Sequence, residues 1–363
     1  MSIPTEPLAS LCDLGYTEQE ARFVYLVATH SGYFTLQQYL DFTGSKKGWS
    51  VHQFTKKSTR LGHLRTMTCA YGTALYNLYS RRVYGALDRD NLRNRRRLST
   101  ELIRTRLSIL DFVLAHLELQ YLETEADKVA CFKQKFGIPD ALLPGRTYQG
   151  IERSATTKRC FVDRFPIYLS PDLDAFGRRP IPTFVYCDSA PRSLLHFTTY
   201  LRNYEHFLRR LPRFELIYAA PSTAKFKRAE RFFRGLFEES SAANARSLAR
   251  YFKLRRLWDE EKHELLTRAD RDFLRYGNQR YREQFWESVY QKWAAGDPGS
   301  QSLEMVLSTH QQTSNWGFRT HLLPHDHDIF TADFGAESGS GRSSDCSVSR
   351  SDSCSAEEQP KHF

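Results

Sequence analysis

Six side chains in one short stretch carry the chemistry that stands out first: His52, Gln53, Lys56, Lys57, Ser58 and Arg60. Ammonium and guanidinium groups meet phosphate oxygens, and Gln or Arg can take a base edge through two hydrogen bonds. Arg65 lies just beyond them, and Arg93, Arg95, Arg96 and Arg97 form a second cationic cluster. From Gly44 to Leu110 there are 15 basic residues against 3 acids, a local net charge of +12 in a chain whose total is +10. The excess is therefore local, and everything outside the stretch sums to slightly negative. A localised cationic surface attracts a polyanion and gives salt-dependent affinity. The bland alternative, a solvated charged face, leaves unexplained why the charge gathers on and after one helix.

The elements that must position these groups are legible. Thr17-Glu18-Gln19-Glu20 has the capping-box form, and apolar Ala21, Val24, Tyr25 and Ala28 follow at helical spacing. Ser31-Gly32 ends this helix, a second fits Leu36 to Phe42, and Thr43-Gly44-Ser45 makes a tight turn. A third helix runs from about Trp49 to Leu61, with Val51, Phe54 and Leu61 toward a core. Two short strands, Leu64–Ala70 and Ala74–Tyr79, then flank Tyr71-Gly72-Thr73. Three helices followed by a hairpin is the winged helix-turn-helix order, with Tyr71 at the wing tip. The expected DNA contacts are His52, Gln53, Lys56, Lys57, Arg60, Arg65, Tyr71, Arg93, Arg95, Arg96 and Arg97.

The predicted fold class is α+β, in five parts: a winged helix-turn-helix over 1–87, a basic helical linker over 88–137, a small α/β domain with a mixed sheet over 138–237, a helical extension over 238–330, and a disordered Ser-rich tail over 331–363. In the linker, Leu102, Ile103, Leu107, Leu110, Val113, Leu114 and Leu117 form an apolar side. That helix either lays the arginine cluster on the phosphate backbone or serves a homodimer, and the sequence gives both equal weight. Strands at Thr183–Cys187 and Arg213–Tyr218 on either side of a helix from Leu194 to Leu211 predict a parallel pair. Aromatics at helical spacing between Arg246 and Trp293 are read as core, with an interruption at Gly277-Asn278. Arg271, Arg275, Arg280 and Arg282 beside them offer a weaker nucleic-acid surface.

A winged helix, then helices, then a small mixed sheet with carboxylates near strand ends resembles the replication-relaxation group of mobile-element proteins, over about Thr17 to Phe237. The resemblance implies a degenerate restriction-endonuclease-like domain and a transcription, replication or mobilisation role in a bacterial mobile element. The rival is a metal-dependent nuclease targeted by the winged helix. Such sites place an Asp near one strand end and a Glu/Asp-x-Lys on the next, to hold a divalent metal. Asp140, Asp163 and Asp188 supply carboxylates, but Asp163 is followed by Arg164-Phe165 and Asp188 by Ser189-Ala190, so the motif is broken. The expectation is a non-catalytic scaffold.

Other chemistry finds little support. There is no GxxxxGK[ST] and no GxGxxG, and Ser222 lacks a nucleophile-elbow context. His321, His325 and His327 alternate with Asp326 and Asp328 in a cluster of metal-binding character, but the Pro324 break favours a polar surface loop. No cofactor and no bound metal are expected. The seven cysteines are scattered without a CxxC pair, as in a reduced cytoplasmic protein. No apolar run approaches the roughly 18 residues of a membrane span, so the expected partners are double-stranded DNA and a second copy, with no membrane.

Overall fold

The computed structural model describes residues 3–327 apart from 46–47, 69–73, 91, 97, 150–155, 174–179, 190–192, 239–240, 282–283, 297–302, 304–305 and 307–314. The chain is α+β, with helices and three small sheets. Its first part runs α1 (Thr5–Asp13), α2 (Glu18–Leu26), β1 (Tyr33–Thr35), α3 (Leu36–Thr43), α4 (Gly48–Arg60), β2 (Leu64–Thr68) and β3 (Ala74–Leu78). The Thr17 and Glu20 backbone N–H groups each donate to the other's side-chain oxygen and start α2, as the sequence requires. Thr35 and Gln38 do the same for α3. Gly44 ends α3 at φ 65°, a left-handed position that glycine adopts without a Cβ clash.

The three strands form an antiparallel sheet in the order β1-β3-β2. The strand β1 was not anticipated. It is three residues long, too short for alternation to register, yet Tyr33 and Phe34 are fully buried. Phe34 stacks on Tyr76 of β3 and meets Phe23 of α2 edge-on. Leu61, expected in the core, is instead partly exposed at the end of α4.

After the short helix α5 (Arg81–Ala86) comes α6 (Thr100–Ala115), which corrects the linker reading. Ile103, Arg106, Leu107, Ser108, Ile109, Leu110, Asp111, Phe112 and Val113 are all buried, so the helix is covered on nearly every side. Only Leu102 of its expected apolar stripe is substantially exposed. It packs against β1, α3 and β7 (Pro180–Cys187). A helix so enclosed cannot lie on a phosphate backbone. It joins both halves of the chain, and its Ile109, Leu110, Phe112 and Val113 belong to a buried cluster that reaches from Leu11 to Leu323.

The main sheet has the order β6-β7-β8-β9, built from β6 (Ile167–Leu173), β7, β8 (Arg213–Ala220) and β9 (Asn315–Leu322). β6 is antiparallel to β7, while β7, β8 and β9 are mutually parallel. α8 (Leu195–Leu208) makes the expected crossover between β7 and β8. Before the sheet come α7 (Glu125–Gln134) and a hairpin of β4 (Gly145–Gln149) with β5 (Thr156–Cys160).

The region expected to be a helical extension over 238–330 divides. Its helices, α10 (Ser241–Asp259), α11 (Arg268–Arg280) and α12 (Gln284–Ala294), bury their own cluster around Tyr251, Phe252, Trp286 and Tyr290. They follow α9 (Phe226–Phe237), and the chain then returns as β9 to complete the sheet. The helix α11 also runs through Gly277 rather than breaking there, and the Tyr251 ring lies against that glycine. The Ser-rich tail expected over 331–363 lies outside the described residues. Among the described residues no helix is long and apolar enough to cross a membrane.

Candidate nucleic-acid interface and a polar centre at the strand ends

One side of α4 buries Val51, Phe54, Thr55 and Ser58. Phe54 anchors it, stacking on Tyr39 of α3 with ring centroids 4.5 Å apart. The opposite side exposes Trp49, His52, Gln53, Lys56 and Arg60. At about 100° per residue, Trp49, Gln53, Lys56 and Arg60 form one narrow stripe along the helix. Trp49 is 73% exposed, unusual for so large an apolar ring. The helix contains no acidic residue.

The other expected contacts divide. Lys57 does not belong to the exposed stripe. Its ammonium pairs with Glu20 of α2 and lies 5.6 Å from the centre of the Tyr16 ring. Helical geometry explains the difference: Lys57 is one position round from Lys56, toward the α2 side. Arg65 on β2 is half-buried and stacks its guanidinium 4.7 Å from the centre of the Tyr79 ring. The arginine cluster is not a single cationic face. Arg96 is exposed, but Arg95 is half-buried with its Nε inside the protein. Between them and α2, Asn94 is buried and donates to the carbonyls of Ala28 and Thr29. Those carbonyls belong to a π-helical turn, Val27–Ser31, whose widened backbone leaves them free to accept. Tyr71, Arg97 and the side chain of Arg93 lie outside the described residues.

A second constellation sits at the carboxyl ends of the three parallel strands, where open α/β sheets bind ligands. Asp188, just after β7, is 2% exposed. It accepts hydrogen bonds from the Tyr218 hydroxyl and the Lys225 ammonium. A cavity of about 110 Å³ opens beside it, lined by Arg104, Ser108, Ser222, Lys225, Asp326 and His327 among others.

Asp111 of α6 is the centre of the adjoining cluster. It is 2% exposed, and it faces His325 Nδ1 at 3.1 Å and His327 Nε2 at 2.7 Å. Gln38 of α3 donates to it at 2.6 Å. Burial alone would raise the pKa of this carboxyl, but the hydrogen bonds from His325 and His327 outweigh burial and hold it below the usual range. The hydrogen bond to Asp111 conversely raises His325. The expected polar surface loop is therefore corrected: His327 is buried and both imidazoles converge on one carboxylate. His321 is separate, on β9, packing on Phe112 and His116. Asp328 lies outside the described residues. One signal for this site was present in the sequence: a lone Asp inside Ile109-Leu110-Asp111-Phe112-Val113, where a carboxylate needs a strong reason to be.

The carboxylates weighed for a nuclease are not gathered. Asp140 is exposed and pairs with Lys133 at 2.8 Å. Asp163 accepts from the Tyr204 hydroxyl at 2.7 Å and from the Phe165 N–H at 3.1 Å. Among the described residues, neither they nor Asp188 belongs to a group of three or more His, Cys, Asp or Glu side chains close enough to share a metal ion.

Asp163 instead lines a larger cavity of about 1080 Å³, which also takes in Arg106, Lys128, Arg164 and His30. Burial and the neighbouring Arg164 lower Arg106 to about 10. Burial likewise lowers Lys128 to about 8, while its ammonium donates to the Phe165 carbonyl at 2.9 Å.

No protein-family model matches the chain, and no curated protein or solved structure matches it either.

Proposed function

We propose that the chain binds double-stranded DNA through α4, acting as the recognition helix of a winged helix-turn-helix. The observation that carries this reading is the stripe of Trp49, Gln53, Lys56 and Arg60, exposed on a helix with no acid and anchored by Phe54 on its other side. The surrounding order supports it: helix, short strand, two helices joined by a Gly44 turn, then a hairpin, with sheet order β1-β3-β2. In this reading Gln53 and Arg60 meet base edges, Lys56 a phosphate, and β2–β3 with Arg65 form the wing. A stripe of about 16 Å, at 1.5 Å per residue, is long enough to cross a major groove about 12 Å wide. The proposed setting is a cytoplasmic DNA-binding accessory factor resembling the replication-relaxation group, without catalytic activity of its own.

The test is equilibrium binding to random and selected duplexes across a salt series. Wild-type affinity should fall steeply with salt. Lys56→Ala should weaken binding to all sequences and reduce the salt slope by about 1. Gln53→Ala should relax sequence preference, at about 1–3 kcal/mol per lost bidentate contact. No binding at low salt, or variants indistinguishable from wild type, would remove the reading.

A further inference from the structure

His325 stands between two carboxylates. Its Nε2 is 3.2 Å from Asp41 Oδ2 and its Nδ1 is 3.1 Å from Asp111 Oδ1. An imidazole that gives Nδ1 to a metal ion keeps its Nε2–H, which here faces Asp41. On the other oxygen of Asp111, His327 Nε2 approaches to 2.7 Å. One ligand atom from each of Asp111, His325 and His327 lies within 4.8 Å of the others.

We propose that Asp111, His325 and His327 bind a divalent transition metal of the zinc class. Two imidazole nitrogens and one carboxylate oxygen are a borderline donor set, suited to such ions rather than to Ca²⁺ or Mg²⁺. Metal–ligand bonds of about 2.0–2.1 Å in a tetrahedron place ligand atoms about 3.4 Å apart, so contacts of this size need only slight expansion. His325 and His327 are two positions apart, with ring centroids 5.9 Å from each other. Asp41 then acts on His325 rather than on the metal, fixing its tautomer through Nε2. Three protein ligands leave a fourth position for water.

The ligands come from α6 and from the segment after β9, while the orienting Asp41 and Gln38 come from α3, next to the proposed reading helix. The ion therefore ties the first sheet's unit to the end of the main sheet. Its binding is independent of whether α4 meets DNA.

The test uses the full chain, stripped with chelator and dialysed against Zn²⁺ or Co²⁺. One equivalent per chain should be retained, with the visible absorption of four-coordinate Co²⁺ and a rise in Tm on metal addition. His325→Gln with His327→Gln should abolish the absorption and the Tm rise while the circular dichroism stays native. Asp41→Asn should weaken affinity about 10–100-fold without abolishing it. His321→Gln, at the separate pair with His116, should change nothing. Absence of stoichiometric metal in wild type, or an unchanged stoichiometry in the double histidine variant, would overturn the proposal.

Discussion

Asp188 and Lys225 meet where β7 and β8 both end, and each is almost wholly withdrawn from water. The Tyr218 hydroxyl donates to the same carboxylate, and burial together with the Asp188 charge raises that phenol far above its ordinary value. A buried pair contributes little net stability against an apolar replacement, but half of one is costly because a charge is left without its partner. Asp188→Ala should therefore cost about 3–5 kcal/mol in urea unfolding. Combining Asp188→Leu with Lys225→Met should recover more than half of that. A cost below about 1 kcal/mol for Asp188→Ala would mean that Lys225 finds water once its partner is gone.

His30 should make the protein acid-sensitive. It sits on the π-helical turn, buried beside the Tyr121 ring, with its Nε2 buried and without a hydrogen-bond partner among the described residues. Burial, then the charges of Arg89, Lys128 and Arg106, depress it to about 3 from an ordinary 6.5. Above pH 6.5 the ring is neutral in both states and costs nothing. Below it the unfolded chain takes the proton first, so stability falls as pH drops toward 3, at about 1.4 kcal/mol per pH unit. By pH 5 that is about 2 kcal/mol. Denaturant midpoints at pH 7 and 5 should converge in His30→Leu relative to wild type. An equal loss in both proteins would assign the acid sensitivity to other groups.

The sequence discloses local structure well and long-range pairing poorly. Thr17 with Glu20, the Gly44 turn and the change of period after Leu64 are each decided within a few residues, and each has its expected consequence in the structure. The strand β1 escaped notice because three residues carry no period, and β9 because about ninety residues of chain separate it from β8. Arg106 counts among the 15 basic residues between Gly44 and Leu110 yet lines a cavity, since nothing local distinguishes an arginine aimed into a cavity from one aimed at solvent. The same holds for Lys57, whose partner Glu20 lies 37 residues away. At the strand ends, His325 and His327 were visible as a cluster, but Asp111 is 214 positions from the first of them.

Gly277 reads as a helix breaker, yet its position is set by a ring. A Cβ there would sit 2.1 Å from Tyr251 Cδ2, while the Tyr251 hydroxyl donates to Asn278 at 2.8 Å and holds the ring in place. Alanine normally favours a helix over glycine by about 1 kcal/mol. Here the overlap should win, and Gly277→Ala should destabilise the α10–α12 cluster by about 1–3 kcal/mol. Hydrogen exchange should accelerate in α10 and α11, and Tyr251→Leu should relieve part of the effect. A stabilised Gly277→Ala protein would mean that the Tyr251 ring can swing aside.

The Glu20–Lys57 pair divides two adjacent lysines by role. Glu20 already accepts the Thr17 N–H at 2.8 Å in the capping box, so its carboxylate is held in place when Lys57 reaches it. Lys57 is thereby neutralised on the α2 side, while Lys56 projects into solvent. Under the DNA-binding proposal, Lys57→Ala should leave the salt dependence of binding unchanged. Lys56→Ala should lower the slope by about 1, and Arg60→Ala, at a base edge, should relax sequence preference. Glu20→Gln keeps an acceptor for Thr17 but frees the Lys57 ammonium, and should raise the slope by up to about 1. If Lys57→Ala instead lowers the slope as much as Lys56→Ala does, the pair opens when duplex arrives, and Glu20 competes with phosphate for the lysine rather than withholding it.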